Sequence, residues 1–241
     1  MTGLVSQILT VEDKTSAGTL SPTQLRDIVW GLNYQALYHY ARSPWVEHGY
    51  APPAHVVQLP DGAKPPVGAW NIILMDTSDQ AGALGYHEDE AGTEIPFSDV
   101  FVKTAREDGA EPSEVASHEM LEMLVDPEVA NVRKVLNHAT KEFYIVEVAD
   151  PVQGCGYDVG APEGRHCGVV VADFVFPAWF GMAQTRPDLS FRDSISQPFT
   201  LAQQGYISVA PEAEPGNWSQ VFGAARAERP AWASRLPRIH A

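Results

Sequence analysis

The chain has 241 residues, with 31 acidic against 16 basic side chains and a formal net charge of −15. That length can bury a substantial core in one domain, and the acidic balance argues against general binding to nucleic acid or anionic membranes. The N-terminus shows no basic segment ahead of a secretory apolar run, and no apolar run reaches the length of a membrane helix, so a cytoplasmic protein is expected. Two cysteines, Cys155 and Cys167, are too few for a disulfide framework. With His166 beside Cys167 they offer a disulfide or half a metal site, but in a cytoplasmic chain reduced thiols are the simpler expectation.

In chain order, residues 2–20 are polar and irregular and carry no assigned element. Ser21-Pro22 opens a helix expected over residues 22–42, because Leu25, Ile28, Val29, Leu32, Ala36, Leu37 and Tyr40 recur at helical spacing. Residues 54–59 and 69–75 read as strands about a Pro- and Gly-rich turn, the second with the apolar run Ile72-Ile73-Leu74 of a buried strand. His87 precedes three acids, Glu88, Asp89 and Glu90, and reads as a ligand, a substrate contact or, since such acidic runs are usually solvated, an exposed loop residue. Residues 98–103 form a short strand, and a polar link over 104–112 leads onward.

The stretch of densest chemistry follows. Residues 114–125 are expected as a helix, with Ser113 as N-cap and Pro127 as stop. At about 100° per residue, Glu122, Asp126 and Glu119 fall about 40°, 80° and 100° from His118, so one imidazole and three carboxylates share one arc. Met120, Leu121, Met123 and Leu124 form the opposite, apolar face. Such an arc repels itself unless a cation or protons relieve it. The pattern is HExxE, one residue away from the HExxH of zinc hydrolases. There, side chains at i and i+4 hold the ion from one helical face and the Glu between them is the general base. Zinc accepts carboxylate oxygen, though the extra negative ligand favours harder ions more than a second His does. A plain helix with a solvated polar face carries the same spacing.

Beyond it, residues 128–141 read as a connection and 142–149 as a strand that delivers Glu147 and Asp150 at its end, where binding groups often sit. Residues 154–168 form a Gly-rich loop without phosphate-cradle spacing. Residues 169–176 are apolar enough for a central strand, 177–182 make an aromatic turn, and 196–209 offer a short strand pair around Gly205. From Ala210 the chain reads as an extended tail that turns basic at Arg226, Arg229, Arg235 and Arg238, with Trp232 among them. That tail is a solvated terminus or a contact for an acidic surface.

Ser117 to Pro127, followed by Val146-Glu147-Val148-Ala149-Asp150-Pro151 and the segment 171–180, resembles a group of poorly characterised bacterial and phage-associated proteins. Their helix has the form S-H-E-x-x-E-x-x-x-D-P. More distantly the chain is similar to plant Exordium-like and bacterial secreted proteins, with S-H-E-x-x-E-x-x-T-[DN]-P followed by E-x-x-D-x-C. The likeness covers residues 69–209, and this chain lacks the Cys two positions after Asp150. The resemblance implies a zincin-like α+β domain over residues 1–209, with residues 210–241 as the tail. In it a small mixed sheet packs on the N-terminal helix and the HExxE helix, and an antiparallel edge strand stands where residues 98–103 are. It implies His118 and Glu122 as metal ligands, Glu119 as base, and Glu147 or Asp150 as the completing carboxylate. Asp126 and His87 are further candidates for that last position.

The expected function is therefore a metal-dependent hydrolase with a zinc ion or another divalent cation, cutting a peptide or protein substrate with Glu119 as general base. The alternative is a catalytically silent protein of the same fold that binds a metal or a partner, including a phage-related structural role for the tail.

Overall fold

The computed structural model describes residues 7–79, 83–89, 95–127, 133–160 and 168–224. The chain opens on β1 (Gln7–Asp13), whose Leu9 and Val11 are fully buried. Nothing local marked this stretch as a strand. It becomes one because β2 (Ala54–Gln58) and β3 (Trp70–Met75) pair with it in parallel on either side.

Between them runs α1 (Pro22–Tyr34), closed at its start by a capping box in which Ser21 and Gln24 satisfy each other's backbone amides. The helix continues through a π turn (Gln35–His39) and a 3-10 turn (Tyr40–Arg42), so the expected span 22–42 is helical throughout. The π turn aims Gln35 inward, where its Nε2 donates to the Ala172 carbonyl at 2.7 Å. A short helix, α2 (Pro44–Glu47), follows.

The first sheet has the order β2-β1-β3-β5-β4, completed by β5 (Pro96–Phe101) and β4 (Gly85–Asp89). β5 runs parallel to β3, and β4 runs antiparallel to β5 at the sheet edge. The antiparallel edge strand is thus β4, not residues 98–103, of which 98–101 belong to the inner strand β5. The polar link expected at 104–112 begins instead as a helix, α3 (Val102–Glu107). The stretch 86–90, expected as a solvated loop, is strand from Gly85 to Asp89, and the His87 side chain is only 7% exposed. Pairing Tyr86 with Asp99 and His87 with Ser98 sets which side chains face inward.

α4 (Pro112–Val125) lies against this sheet. Its N-cap is Glu111 rather than Ser113; the Ser113 hydroxyl instead donates to the Val170 carbonyl at 2.7 Å. β6 (Lys134–Asn137), β7 (Glu142–Ile145), β10 (Tyr206–Pro211) and β11 (Ser219–Phe222) form a second, antiparallel sheet in the order β11-β10-β7-β6. β6 lies inside the expected connection, and the tail expected from Ala210 joins this sheet as far as it is described. Residues 225–241, with the basic tail and Trp232, lie outside the described residues, as do His166 and Cys167. Cys155 is a half-buried free thiol.

Residues 169–176, all buried except the half-buried Val170, are not a central strand. Only β9 (Val170–Val171) pairs, with β8 (Tyr157–Asp158), and Val175 makes one bridge to Ser190. Loop backbone and side chains satisfy the rest: the Val175 and Phe176 amides donate to the Val148 and Leu189 carbonyls, Ser117 Oγ accepts from the Ala172 amide at 2.6 Å, and Trp45 Nε1 donates to the Val175 carbonyl at 2.7 Å. The apolar run reported burial, which a strand and a threaded core segment share. The aromatic turn is a 3-10 turn (Pro177–Phe180) whose Trp179 and Phe180 are buried with Trp45, Phe174 and Phe176 in the main core. The result is a mixed α+β protein, and among the described residues no helix is long and apolar enough to cross a membrane.

Candidate metal centre

All four ionisable groups of the helical arc are buried: His118, Glu119, Glu122 and Asp126 are each less than 10% exposed. The polar face is therefore not solvated. β4 covers it from one side, and the loop after β7 covers it from the other. Ser117 ties the helix to the 169–176 segment, since its hydroxyl donates to the Glu114 carbonyl while accepting from the Ala172 amide.

Asp150 stands at the start of a 3-10 turn (Asp150–Val152), just beyond β7. That turn brings its Oδ1 to 3.1 Å from His118 Nε2, and Glu122 Oε1 is also 3.1 Å from the same nitrogen. The Ala149 amide donates to Glu122 Oε1 at 3.2 Å, which fixes the carboxylate. His118, Glu122 and Asp150 thus present converging donor atoms from two elements far apart in sequence. His87 lies on the other side of Glu122, with its Nδ1 3.4 Å from Glu119 Oε2 and 3.9 Å from Glu122 Oε2.

The other two expected ligands are placed differently. Asp126, at the helix C-terminus, accepts from the Arg133 amide at 2.8 Å and lies 3.9 Å from its guanidinium. Arg133 also donates to the Val125 carbonyl, so Asp126 belongs to the helix end. Glu147 is not one of the converging donors, yet its buried Oε2 has no hydrogen-bond partner.

The electrostatics follow from this crowding. Burial, then the charges of Glu122, Asp150, Asp126 and Glu119, push the Glu147 carboxyl well above the usual carboxylate range. Asp150 is pushed up to about 7 by burial and by Glu122, against the hydrogen bonds from His118 and the Tyr206 hydroxyl. Burial opposes a charge on His118, but Glu122 and Asp150 outweigh it and hold the imidazolium well above its ordinary range. Burial likewise works against a charged Glu122, which His118 and His87 nonetheless bring below the ordinary range. Without a cation, protons fill this cluster.

The residues fit a divalent cation. One imidazole nitrogen and two carboxylate oxygens make an acceptable zinc set, and two donors each about 2.1 Å from a tetrahedral ion are separated by about 3.4 Å. The observed 3.1 Å spacings need only a small opening. A buried carboxylate oxygen without a partner is a further sign of a missing positive charge.

A cavity of about 40 Å³ borders the group, lined by Leu84, Gly85, Glu114, His118, Glu119 and Tyr206. It can hold water beside Glu119. Gly85 is required there: a Cβ would come within 2.8 Å of Glu119 Oε1 and 3.1 Å of the Asp99 carbonyl. Gly85→Ala is therefore expected to destabilise the fold by about 1–3 kcal/mol, read from denaturant unfolding. A variant as stable as the parent would mean that β4 does not press on the helix this closely.

One residue of the site was hidden from sequence reasoning, and another was a candidate there without a place in the fold. Tyr206, on β10, hydrogen-bonds Asp150 from the second sheet, and no local pattern points to it. His87 was among the candidate ligands, although the acids beside it favoured solvent; the structure places it with Glu119 and Glu122. Compared with family models, curated proteins and solved structures, the chain matches none of them.

Proposed function

We propose that this protein is a metal-dependent hydrolase of zincin-like architecture, with peptide bonds as its substrate and zinc as its cation. The observation that carries the reading is the convergence of Glu122 and Asp150 on His118 Nε2, with Glu119 left outside that group and bordering the cavity. Three protein ligands and one open position make a catalytic rather than a structural zinc site. When bound, the cation supplies Lewis acidity, polarising a carbonyl and making water more acidic.

The chain's own groups supply the rest. Glu119 takes the proton of the attacking water and returns it to the leaving amine. His87, 3.4 Å from Glu119 Oε2, holds that carboxylate in place. The Tyr206 hydroxyl steadies Asp150 from the far sheet. β4 is the edge of its sheet and lies over α4, so an extended peptide can add to it as a further strand beside Glu119.

Metal analysis of the purified chain tests this, beside a His118→Ala, Glu122→Ala double variant of confirmed fold. About one equivalent of zinc is expected in the parent and none in the variant. A parent that takes up no zinc after incubation and dialysis rejects the reading.

Affinity should also depend on pH in a defined direction. Asp150, pushed up to about 7, holds its proton below that pH, and His118 holds its proton higher still. The ion must displace both, so binding strengthens as pH rises, by about tenfold per pH unit for each proton displaced. Chelator competition at pH 6 and 8 measures this, and a constant affinity would mean that the protonated groups are not the ligands.

One observation favours a catalytically silent cation-binding protein. The cavity of about 40 Å³ beside Glu119 is small for a site that receives a peptide. The two readings separate on Glu119, as set out below.

A further inference from the structure

Glu122 presents its two oxygens to two different neighbours. Oε1 faces His118 at 3.1 Å, and Oε2 faces His87 at 3.9 Å. His87 and Glu119, 3.4 Å apart, complete a second group of one imidazole and two carboxylates whose donor atoms all lie within 4.8 Å of one another. We propose that this group is a second divalent-cation site, joined to the first through a bridging Glu122 carboxylate. The proposal rests on the hydrolase centre described above and extends it from one ion to two.

Charge supports the second ion independently of the spacing. Arg133 compensates Asp126. Glu119, Glu122, Glu147 and Asp150 are then left with four negative charges when ionised, around two imidazoles. One divalent cation offsets half of that charge, and two offset all of it. The Glu147 carboxyl, whose buried Oε2 has no hydrogen-bond partner, is pushed up by burial and then by the charges of Glu122, Asp150, Asp126 and Glu119, so the negative charge here extends beyond the first three donors. Bridged pairs of this kind hold their ions about 3.5–4 Å apart, which suits one carboxylate spanning both sites. The strand supplying His87 is held to this position by its pairing with Ser98, and Gly85 lets it approach the helix.

The second site uses Glu119, the proposed base. An ion there would draw on Glu119 Oε2 and lower the basicity of the carboxylate that accepts the water's proton, so the second cation would slow the centre rather than assist it. Hydrolysis would then rise as the first equivalent binds and fall as the second does.

Zinc titration of the full chain by equilibrium dialysis, with metal analysis, tests the proposal. About two equivalents are expected at saturation, the second weaker than the first. The variants His87→Ala and His87→Gln should each drop to about one equivalent while keeping the tighter ion, with circular dichroism confirming the fold. A parent that saturates at one equivalent overturns this inference and leaves the single-ion centre standing. Two equivalents retained by both His87 variants also overturn it. A parent that binds no zinc overturns both readings, so the two failures are distinguishable.

Discussion

Replacing Glu119 by Gln is expected to lower peptide turnover by about 10²–10⁴-fold while leaving the tighter ion and the fold in place. Glu119 is not among the donors that converge on His118, so losing its charge removes no ligand from that group. The amide has nearly the same shape and can still contact His87, now 3.4 Å from Glu119 Oε2, but it cannot take a proton from water. The fall should appear in kcat and kcat/KM together, because the proton moves only in the transition state. Steady-state kinetics and metal analysis on the same preparation measure both halves. Unchanged turnover would remove Glu119 as the base, and a parent inactive towards peptides would favour the silent cation-binding protein.

The second large effect concerns the core behind the site. Trp45 is fully buried, packs edge-on against Tyr50 at 4.7 Å and Phe180 at 5.9 Å, and donates its indole N–H to Val175. Trp45→Ala removes this packing and leaves a buried carbonyl without its donor, for an expected loss of about 3–5 kcal/mol. In a chain of this size that lowers the melting temperature by roughly 6–20 °C. Trp45→Phe keeps most of the apolar contact and should lose only about 1–3 kcal/mol, largely for the orphaned carbonyl. Thermal and denaturant unfolding give both values. If the two variants were equally stable, the indole would not be supporting the irregular 172–176 segment by packing.

That segment shows where local pattern stops being informative. Its residues are apolar because they are buried, yet their backbone groups are met by Gln35, Trp45 and Ser117 and by single loop residues such as Val148 and Leu189 rather than by a continuous strand ladder. Three polar side chains from distant helices and turns leave no trace in the run itself. The same limit hid β1, whose short pattern acquires its meaning only from partners more than forty residues away. It also misled the reading of His87. The acids beside it suggested water, whereas strand alternation turns the imidazole inward onto α4.

The sequence by itself determined the α+β character, the long first helix with its Ser21 cap, and the helix bearing His118, Glu119 and Glu122. Those depend on periodicity, capping and proline stops, which act within a few residues. Only the tertiary structure decided that the polar arc is buried, that Asp150 and not Asp126 meets His118, that one oxygen of Glu147 is left without a hydrogen-bond partner, and that Tyr206 and His87 close the site. The physical reason is that these facts concern which distant backbone segments share one small volume. A carboxylate is a ligand, a cap or an orphan according to what the fold sets within about 4 Å of it.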